Sequence, residues 1–179
     1  MRVVAGTLGG RKLSSPPSSI TRPTSDRVRE SLFALLGPID GANVLDLFAG
    51  SGALAIESLS RGAARAVLVE RNSAAAKVIT ANLEALGIAE PQARLIRGSA
   101  QKALEQAAKA VETYDLIFLD PPYGQPAMLG DDVAELIGTI LAPDARVVTE
   151  SDRRQPLELD LPMIDERRYG DTLIRIHQR

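Results

Sequence analysis

The sequence predicts an α/β protein built on a doubly wound, mostly parallel sheet of seven strands. After Gly41, short and almost continuously apolar segments alternate with longer segments of helical periodicity. Strands that are apolar along their whole length indicate a parallel sheet covered by helices on both faces. The composition agrees, because 45% apolar and 25% charged residues in a chain of 179 residues are typical of a single globular domain.

The seven strands are assigned in two groups. Residues 169–177 alternate between polar and apolar positions, which predicts one antiparallel strand near the C-terminus, with a partner within residues 157–165. The other five strands are expected at residues 44–48, 66–70, 93–97, 114–119 and 146–149, with helices near 53–61, 73–86, 99–111 and 128–141.

The N-terminal residues follow a different pattern. Residues 2–13 alternate weakly around three glycines, which predicts a small β-hairpin. Residues 14–23 are rich in serine and proline and should form an extended connection. A helical apolar face then begins near residue 24. The sequence therefore predicts an N-terminal β-hairpin and arm over residues 1–23 and a main domain over residues 24–179.

Composition excludes several classes of site. The chain has no cysteine, so disulfides and thiolate chemistry are excluded, and its one histidine, His177, leaves no cluster for a metal. No apolar run approaches the roughly 20 residues that a membrane helix needs, and the N-terminus lacks a signal-type apolar segment. We therefore expect a cytoplasmic protein without a metal and without a membrane partner.

Charge is distributed unevenly along the chain. The net charge is −2, yet the first 30 residues carry six basic and two acidic residues. A basic segment on an acidic body suits a polyanionic partner, although a solvated arm would show the same composition. The six basic residues are Arg2, Arg11, Lys12, Arg22, Arg27 and Arg29.

A glycine-rich loop follows the first predicted strand. Gly50 and Gly52 let the backbone turn sharply near a helix N-terminus and approach a ligand closely. Glu70, at the end of the second strand, stands where Rossmann-like folds place an acid against ribose hydroxyls. The looser dinucleotide fingerprint is also satisfied by Gly50, Gly52 and Ala55, so NAD competes as the cofactor. Asp46, at the end of the first strand, favours a positively charged cofactor such as S-adenosylmethionine over a diphosphate, unless it only braces the loop.

The stretch Asp-Pro-Pro-Tyr at residues 120–123 ends the fourth predicted strand, on the same rim of the sheet as the glycine loop. The prolines restrict the backbone, so the Asp120 carboxylate and the Pro121 carbonyl can be held as hydrogen-bond acceptors. Two acceptors facing one exocyclic amine would leave its lone pair free to attack, and Tyr123 could stack on the attached ring. The stretch thus indicates methyl transfer to a planar amine, although a proline-rich loop is the plain alternative.

These motifs together resemble a known family. The loop D-L-F-A-G-S-G, the strand V-L-V-E-R-N and the tetrapeptide D-P-P-Y resemble class I S-adenosylmethionine-dependent amino methyltransferases. The N-terminal stretches R-V-V-A-G-T-L-G-G-R-K-L and R-P-T-S-D-R-V-R-E resemble the RsmD-type 16S rRNA guanine-N2 methyltransferases. The resemblance covers nearly the whole chain and implies methylation of one guanine in 16S rRNA, in the small ribosomal subunit or an assembly intermediate. We expect a monomer, although the sequence does not determine the oligomeric state.

The resemblance also implies three groups of site residues. The catalytic group is Asp120, Pro121, Pro122 and Tyr123. The cofactor group is Asp46, Phe48, Ala49, Gly50, Gly52, Glu70, Arg71, Gly98, Ser99 and Ala100. The RNA-binding group is Arg2, Arg11, Lys12, Arg22, Thr24 and Arg27.

Several alternatives remain open on the sequence. The tetrapeptide also serves methyltransferases of DNA adenine or cytosine and of protein glutamine. An NAD-dependent oxidoreductase would need a proton-transfer group, and His177 lies close to the C-terminus, where packing in the last strand is the simpler account. A non-catalytic ribosome-assembly factor could retain the same fold. Which guanine is modified does not follow from the sequence.

Overall fold

The structure is a computed structural model that describes residues 1–17, 25–121 and 131–179. Within these ranges the order of helices and strands is α1 (Asp26–Leu36), β1 (Asn43–Asp46), α2 (Ala53–Ser60), β2 (Arg65–Glu70), α3 (Ser73–Leu86), β3 (Ala93–Arg97), α4 (Ala100–Lys109), β4 (Tyr114–Leu119), α5 (Asp131–Ile140), β5 (Leu141–Asp152), β6 (Met163–Tyr169) and β7 (Thr172–Gln178).

The seven strands form one sheet in the order β3-β2-β1-β4-β5-β7-β6. Neighbouring strands from β3 to β5 are parallel, whereas β7 is antiparallel to both β5 and β6. The predicted α/β class, the seven strands and the single reversed strand are therefore confirmed. The strand order reverses between β1 and β4, and in such sheets the crevice at the carboxyl ends near that reversal is the usual ligand site.

The C-terminal strands differ from their predicted bounds. The predicted strand at 169–177 is divided, because Gly170 has a φ of +64° and turns the chain between β6 and β7. Its partner β6 therefore lies later in the chain than expected. β5 is also longer than the predicted 146–149, since β7 pairs along much of its length.

Helices cover both faces of the sheet, as continuous apolar strands require. Leu32 and Phe33 of α1, together with residues of α2 and α3, form one buried cluster on the first face. α4 and α5 form the second cluster through Leu104 and Ile137. Helix α1 begins after Ser25, whose side chain accepts a hydrogen bond from the Val28 N–H. None of the described helices is long and apolar enough to cross a membrane.

The N-terminal segment, defined here as residues 1–14, packs on the main domain. Its hairpin is reduced to one antiparallel bridge between Arg2 and Lys12, with backbone hydrogen bonds on either side. Val3 and Leu13 are buried in the core of the first face. The predicted boundary between residues 23 and 24 lies outside the described residues, so the division into arm and domain stays a prediction.

His177 lies in β7 and is buried. Its Nδ1 is 3.2 Å from the carbonyl oxygen of Leu161. The ring packs among the C-terminal strands. In the sheet, β4 and β5 separate its strand β7 from β1, which the glycine loop follows.

Candidate functional site

Four acidic residues line the carboxyl rim of the central strands on one face of the sheet. Because side chains alternate along a strand, residues two positions beyond a buried first-face residue point to the same side. Glu70, Asp120 and Glu150 stand two positions beyond Leu68, Phe118 and Val148, which all belong to the first cluster. Asp46 is in register with Leu68 and Phe118, so it lies on the same face, two residues before the level of the other three acids.

The glycine loop is tied to the end of β2 by Glu70. The Gly50 N–H donates to Glu70 Oε2 at 2.8 Å, and the Asn72 N–H donates to Oε1 at 2.7 Å. Gly50 and Gly52 have φ values of +55° and +79°, which favour glycine. A Cβ at Gly52 would also lie 3.0 Å from Leu68 Cδ2. Glu70 therefore orders the loop, while each of its oxygens retains capacity to accept a further hydrogen bond.

Asp46 is almost completely buried beneath the loop. Burial raises the pKa of its carboxyl to about 7, the charge of Glu70 adds to the rise, and hydrogen bonds from the backbone at Phe48 and Ala55 oppose it. Its Oδ1 atom is buried and has no hydrogen-bond partner among the described residues. An unpartnered buried carboxyl oxygen is costly, and a positively charged ligand group beside it would remove that cost.

Asp120 follows β4 at the centre of the rim. Burial raises its pKa well above the usual range, and the nearby charges of Glu150 and then Asp46 raise it further. Pro121 is buried beside it. Pro122 and Tyr123, the other two predicted catalytic residues, lie outside the described residues.

The remaining predicted cofactor residues lie along the same rim. The Ala49 N–H donates to the Val69 carbonyl at 3.0 Å, and the Gly98 N–H donates to the Glu70 carbonyl at 3.1 Å. These bonds bring the loops after β1 and β3 against the end of β2. Ser99 caps α4, accepting a hydrogen bond from the Lys102 N–H at 3.3 Å. The other members are the half-buried Phe48 and Ala100 and the exposed Arg71.

The predicted RNA-binding residues lie on the surface of the N-terminal segment and at the start of α1. Arg2 is exposed and lies 3.5 Å from Asp26 of α1, while Lys12 is its bridge partner. Arg27 is exposed beside Asp26. Arg11 instead donates to the carbonyl of Ala85 at the end of α3. Arg22 and Thr24 lie outside the described residues.

Three buried polar residues were missed by the sequence analysis. Glu150 lies near the end of β5, shortly after the apolar residues Val147 and Val148, so the reasoning that selected Asp46 and Asp120 could have found it. Glu57 of α2 accepts from the N–H groups of Val4 and Ala5 at 2.6 and 3.0 Å. Asn82 of α3 contacts both the N-terminal segment and the glycine loop. No local signal marks these last two residues, because their partners are distant in the sequence.

Comparison with known proteins identifies relatives along the whole chain. The family model described as Conserved hypothetical protein 95 matches residues 1–178. The ribosomal RNA small subunit methyltransferase D of Escherichia coli is 35% identical over 189 residues, covering 100% of this chain and 90% of that protein. YlbH of Bacillus subtilis, provisionally named as an rRNA methyltransferase, is 39% identical over 185 residues, covering 100% and 99% of the two chains. The solved structure of yhhF from Escherichia coli superposes with a TM-score of 0.84 at 35% identity, covering 100% of this chain and 97% of that one.

Proposed function

This chain belongs to the family described as Conserved hypothetical protein 95, and on that premise we propose that it methylates the N2 amine of a guanine in 16S rRNA. The family membership makes it a methyltransferase with relatives that act on small-subunit rRNA. The choice of guanine N2 rests on the resemblance of the N-terminal motifs and is the finer part of the proposal. The substrate is the small ribosomal subunit or an assembly intermediate, and the enzyme acts as a cytoplasmic monomer.

The cofactor half of the site fits S-adenosylmethionine, the cofactor of this proposal. When bound, it supplies an electrophilic methyl group on a positively charged sulfur. The unpartnered Oδ1 of Asp46 offers a negative partner for a cationic group. Glu70 has remaining acceptor capacity for ribose hydroxyls, and the half-buried Gly98–Ser99 turn lies next to it. The residues present therefore fit the group.

The acceptor half of the site fits a planar amine. Methyl transfer would form an N–C bond as the S–C bond breaks, leaving S-adenosylhomocysteine, and the methylated amine would lose one proton to water. Asp120 in its ionised form would accept a hydrogen bond from the amine and keep the nitrogen lone pair directed at the methyl group. The protein orients the two reactants and forms no covalent intermediate. A cationic ligand beside Asp46 and Asp120 favours the ionised form of both carboxyls, because opposite charges stabilise each other.

The observation that carries this proposal is the place of Asp120 and Pro121. Asp120 stands at the carboxyl end of β4, close enough to Asp46 for that charge to raise the pKa of Asp120, and the buried Pro121 follows it. A reaction between a cofactor at β1 and β2 and an amine at β4 requires this adjacency. The exposed Arg2, Lys12 and Arg27 add a surface suited to RNA phosphates near the same face.

Nucleoside analysis of small-subunit RNA tests the proposal directly. Cells that lack the protein should lose one N2-methylguanosine from 16S rRNA, as measured by mass spectrometry, and the wild-type gene should restore it. A gene for Asp120→Ala, which lacks the acceptor for the amine, should not restore it. An unchanged nucleoside profile would contradict the substrate, and restoration by the variant would favour a non-catalytic assembly factor.

Cofactor choice is tested separately by thermal unfolding. S-adenosylhomocysteine should raise the midpoint temperature of unfolding, whereas NAD should leave it unchanged. Stabilisation by NAD alone would favour the oxidoreductase reading. Incubating the enzyme with labelled S-adenosylmethionine and small subunits, naked 16S rRNA, DNA or protein then separates the possible methyl acceptors.

A further inference from the structure

Asn82 of α3 is a buried amide that contacts two separate parts of the chain. Its side chain is 3% exposed. Nδ2 donates to the carbonyl of Ser14 at 3.0 Å and to the carbonyl of Ser51 at 2.9 Å. Oδ1 accepts from the Ser14 N–H at 2.8 Å. Ser51 lies between the two glycines of the cofactor loop, and Ser14 ends the N-terminal segment.

The geometry makes one amide the shared partner of both backbones. Asn82 pairs with the N–H and the carbonyl of Ser14, as a neighbouring strand would. The remaining hydrogen of its amide goes to the glycine loop. Both donors are therefore used, and a shift of Ser51 or of Ser14 breaks a buried hydrogen bond, which is costly to leave unmade.

The N-terminal segment has a second anchorage that does not reach the glycine loop. Glu57 holds the backbone of Val4 and Ala5, and the Thr7 N–H donates to the Ser60 carbonyl at 2.7 Å. A Cβ at Gly6 would lie 1.8 Å from that same carbonyl oxygen, so the segment fits closely against α2. Docking of the segment therefore does not depend on Asn82 alone.

We propose that Asn82 is a positioning residue that couples the cofactor loop to the N-terminal segment. Cofactor bound against the glycine loop restrains the Ser51 carbonyl further, which restrains the Asn82 amide and thereby Ser14. Ser14 ends the segment that carries the exposed Arg2 and Lys12. Cofactor thereby raises the affinity of that part of the chain for RNA. By reciprocity, bound RNA raises the affinity for cofactor by the same factor. This second statement rests on the proposed function, whereas the first needs only cofactor binding.

Hydrogen exchange of the Ser14 amide tests the coupling in the full chain. In the wild type, saturating S-adenosylhomocysteine should slow exchange of this amide several-fold. In Asn82→Ala the ligand should still bind but should no longer slow it. Leu83→Ala, which truncates a buried neighbour on α3 that makes no side-chain hydrogen bond to Ser14 or Ser51, should retain the slowing and serves as the matched control.

A near-isosteric variant covers the case in which Asn82→Ala does not fold. Asn82→Asp keeps the acceptor for the Ser14 N–H but removes both donors, so it should bind ligand without transmitting order to Ser14. Persistence of the ligand-induced slowing in the Asn82 variants, or its absence in the wild type, would overturn the coupling.

The reciprocal statement is tested by calorimetry with small ribosomal subunits. The subunit should tighten S-adenosylhomocysteine binding to the wild type by roughly 5-fold or more, within the usual range of coupling between sites. The factor should fall to about 1 in Asn82→Asp and remain in Leu83→Ala. Loss of coupling to the subunit with the exchange result intact would count against the proposed substrate, not against the role of Asn82.

Discussion

The two halves of the rim hold their acids in opposite ways. In the cofactor half, Glu70 accepts hydrogen bonds from two backbone N–H groups, so its side chain is held in place before any ligand arrives. In the acceptor half, burial and the charge of Glu150 raise the pKa of Asp120. Asp46 stands between them and combines burial with backbone hydrogen bonds. We infer that the half with Glu70 serves recognition of the cofactor, and that the half with Asp120 keeps a carboxyl whose charge depends on the ligand.

The largest expected effect breaks the acceptor half alone. Asp120→Ala removes the acceptor for the amine and should lower kcat by about 10²- to 10³-fold, the usual cost of losing one aligned hydrogen bond at a reacting group. Affinity for S-adenosylhomocysteine, measured by calorimetry, should change little because Glu70 and the glycine loop are intact. Asp160→Ala, an exposed acid, serves as the control. Comparable activity of the two variants would contradict the role of Asp120.

The next effect breaks the cofactor half alone. Glu70→Gln replaces one carboxylate oxygen with an NH2 group that faces a backbone N–H, so one donor loses its partner. Affinity for S-adenosylhomocysteine should fall roughly 10- to 100-fold, in line with the cost of an unpaired buried group. The kcat at saturating cofactor should fall far less than in Asp120→Ala. An equal loss of kcat in the two variants would mean that the halves are not separable.

The pH dependence of cofactor binding examines the acid between the halves. Asp46 must be ionised to pair with a cationic ligand, and its pKa is raised to about 7. Affinity for S-adenosylhomocysteine should therefore rise with pH up to about 7 and level off above it, with proton release measurable by calorimetry in two buffers. Asp46→Asn should bind more weakly and lose this dependence. A flat profile in the wild type would contradict ion pairing at Asp46.

The same group links protein stability to pH in the absence of ligand. The folded-state pKa of Asp46 is raised, so the folded state retains a proton that the unfolded state loses at lower pH. The stabilisation is complete below 3.8, the ordinary pKa of an aspartate, and is lost as pH rises through about 7. Between these two pH values the free energy of unfolding, measured in urea, should fall as pH rises. The fall should be steeper in the wild type than in Asp46→Asn, because the variant lacks the titrating carboxyl.

The smallest expected effect concerns Glu150, which lies near Asp120 in the acceptor half. Glu150→Gln removes a negative charge near Asp120 and should lower the pKa of that carboxyl. The acidic limb of the kcat profile should then move to lower pH, while kcat at pH 8 changes only a few-fold, because the acceptor itself remains. Glu135→Gln, an exposed acid on α5, should leave the limb in place. If the acidic limb of the kcat profile stays in place in Glu150→Gln, Glu150 does not influence the ionisation of the reacting carboxyl.

Much of this site could be predicted because a parallel sheet brings the carboxyl ends of its strands to one rim. Asp46, Gly50, Glu70 and Asp120 each follow an apolar run, so their shared location required only the strand assignment. The bounds of the C-terminal strands were less accurate, because alternation continues through Tyr169 and does not reveal the turn at Gly170. The prediction for the N-terminal segment was incomplete, because it identified the basic residues but not Val3 and Leu13, which are buried in the core.

The sequence by itself determined the alternation of strands and helices, the glycine loop and the acids at the strand ends, because these depend on local pattern and on a general rule of parallel sheets. Only the tertiary structure decided the burial that raises the pKa of Asp46 and Asp120, the approach of Glu150, and the contacts of Asn82. Asn82 is 68 positions from Ser14 and 31 from Ser51 along the chain. Hydrogen bonds and desolvation act through space, so residues this far apart carry no local trace of their contact.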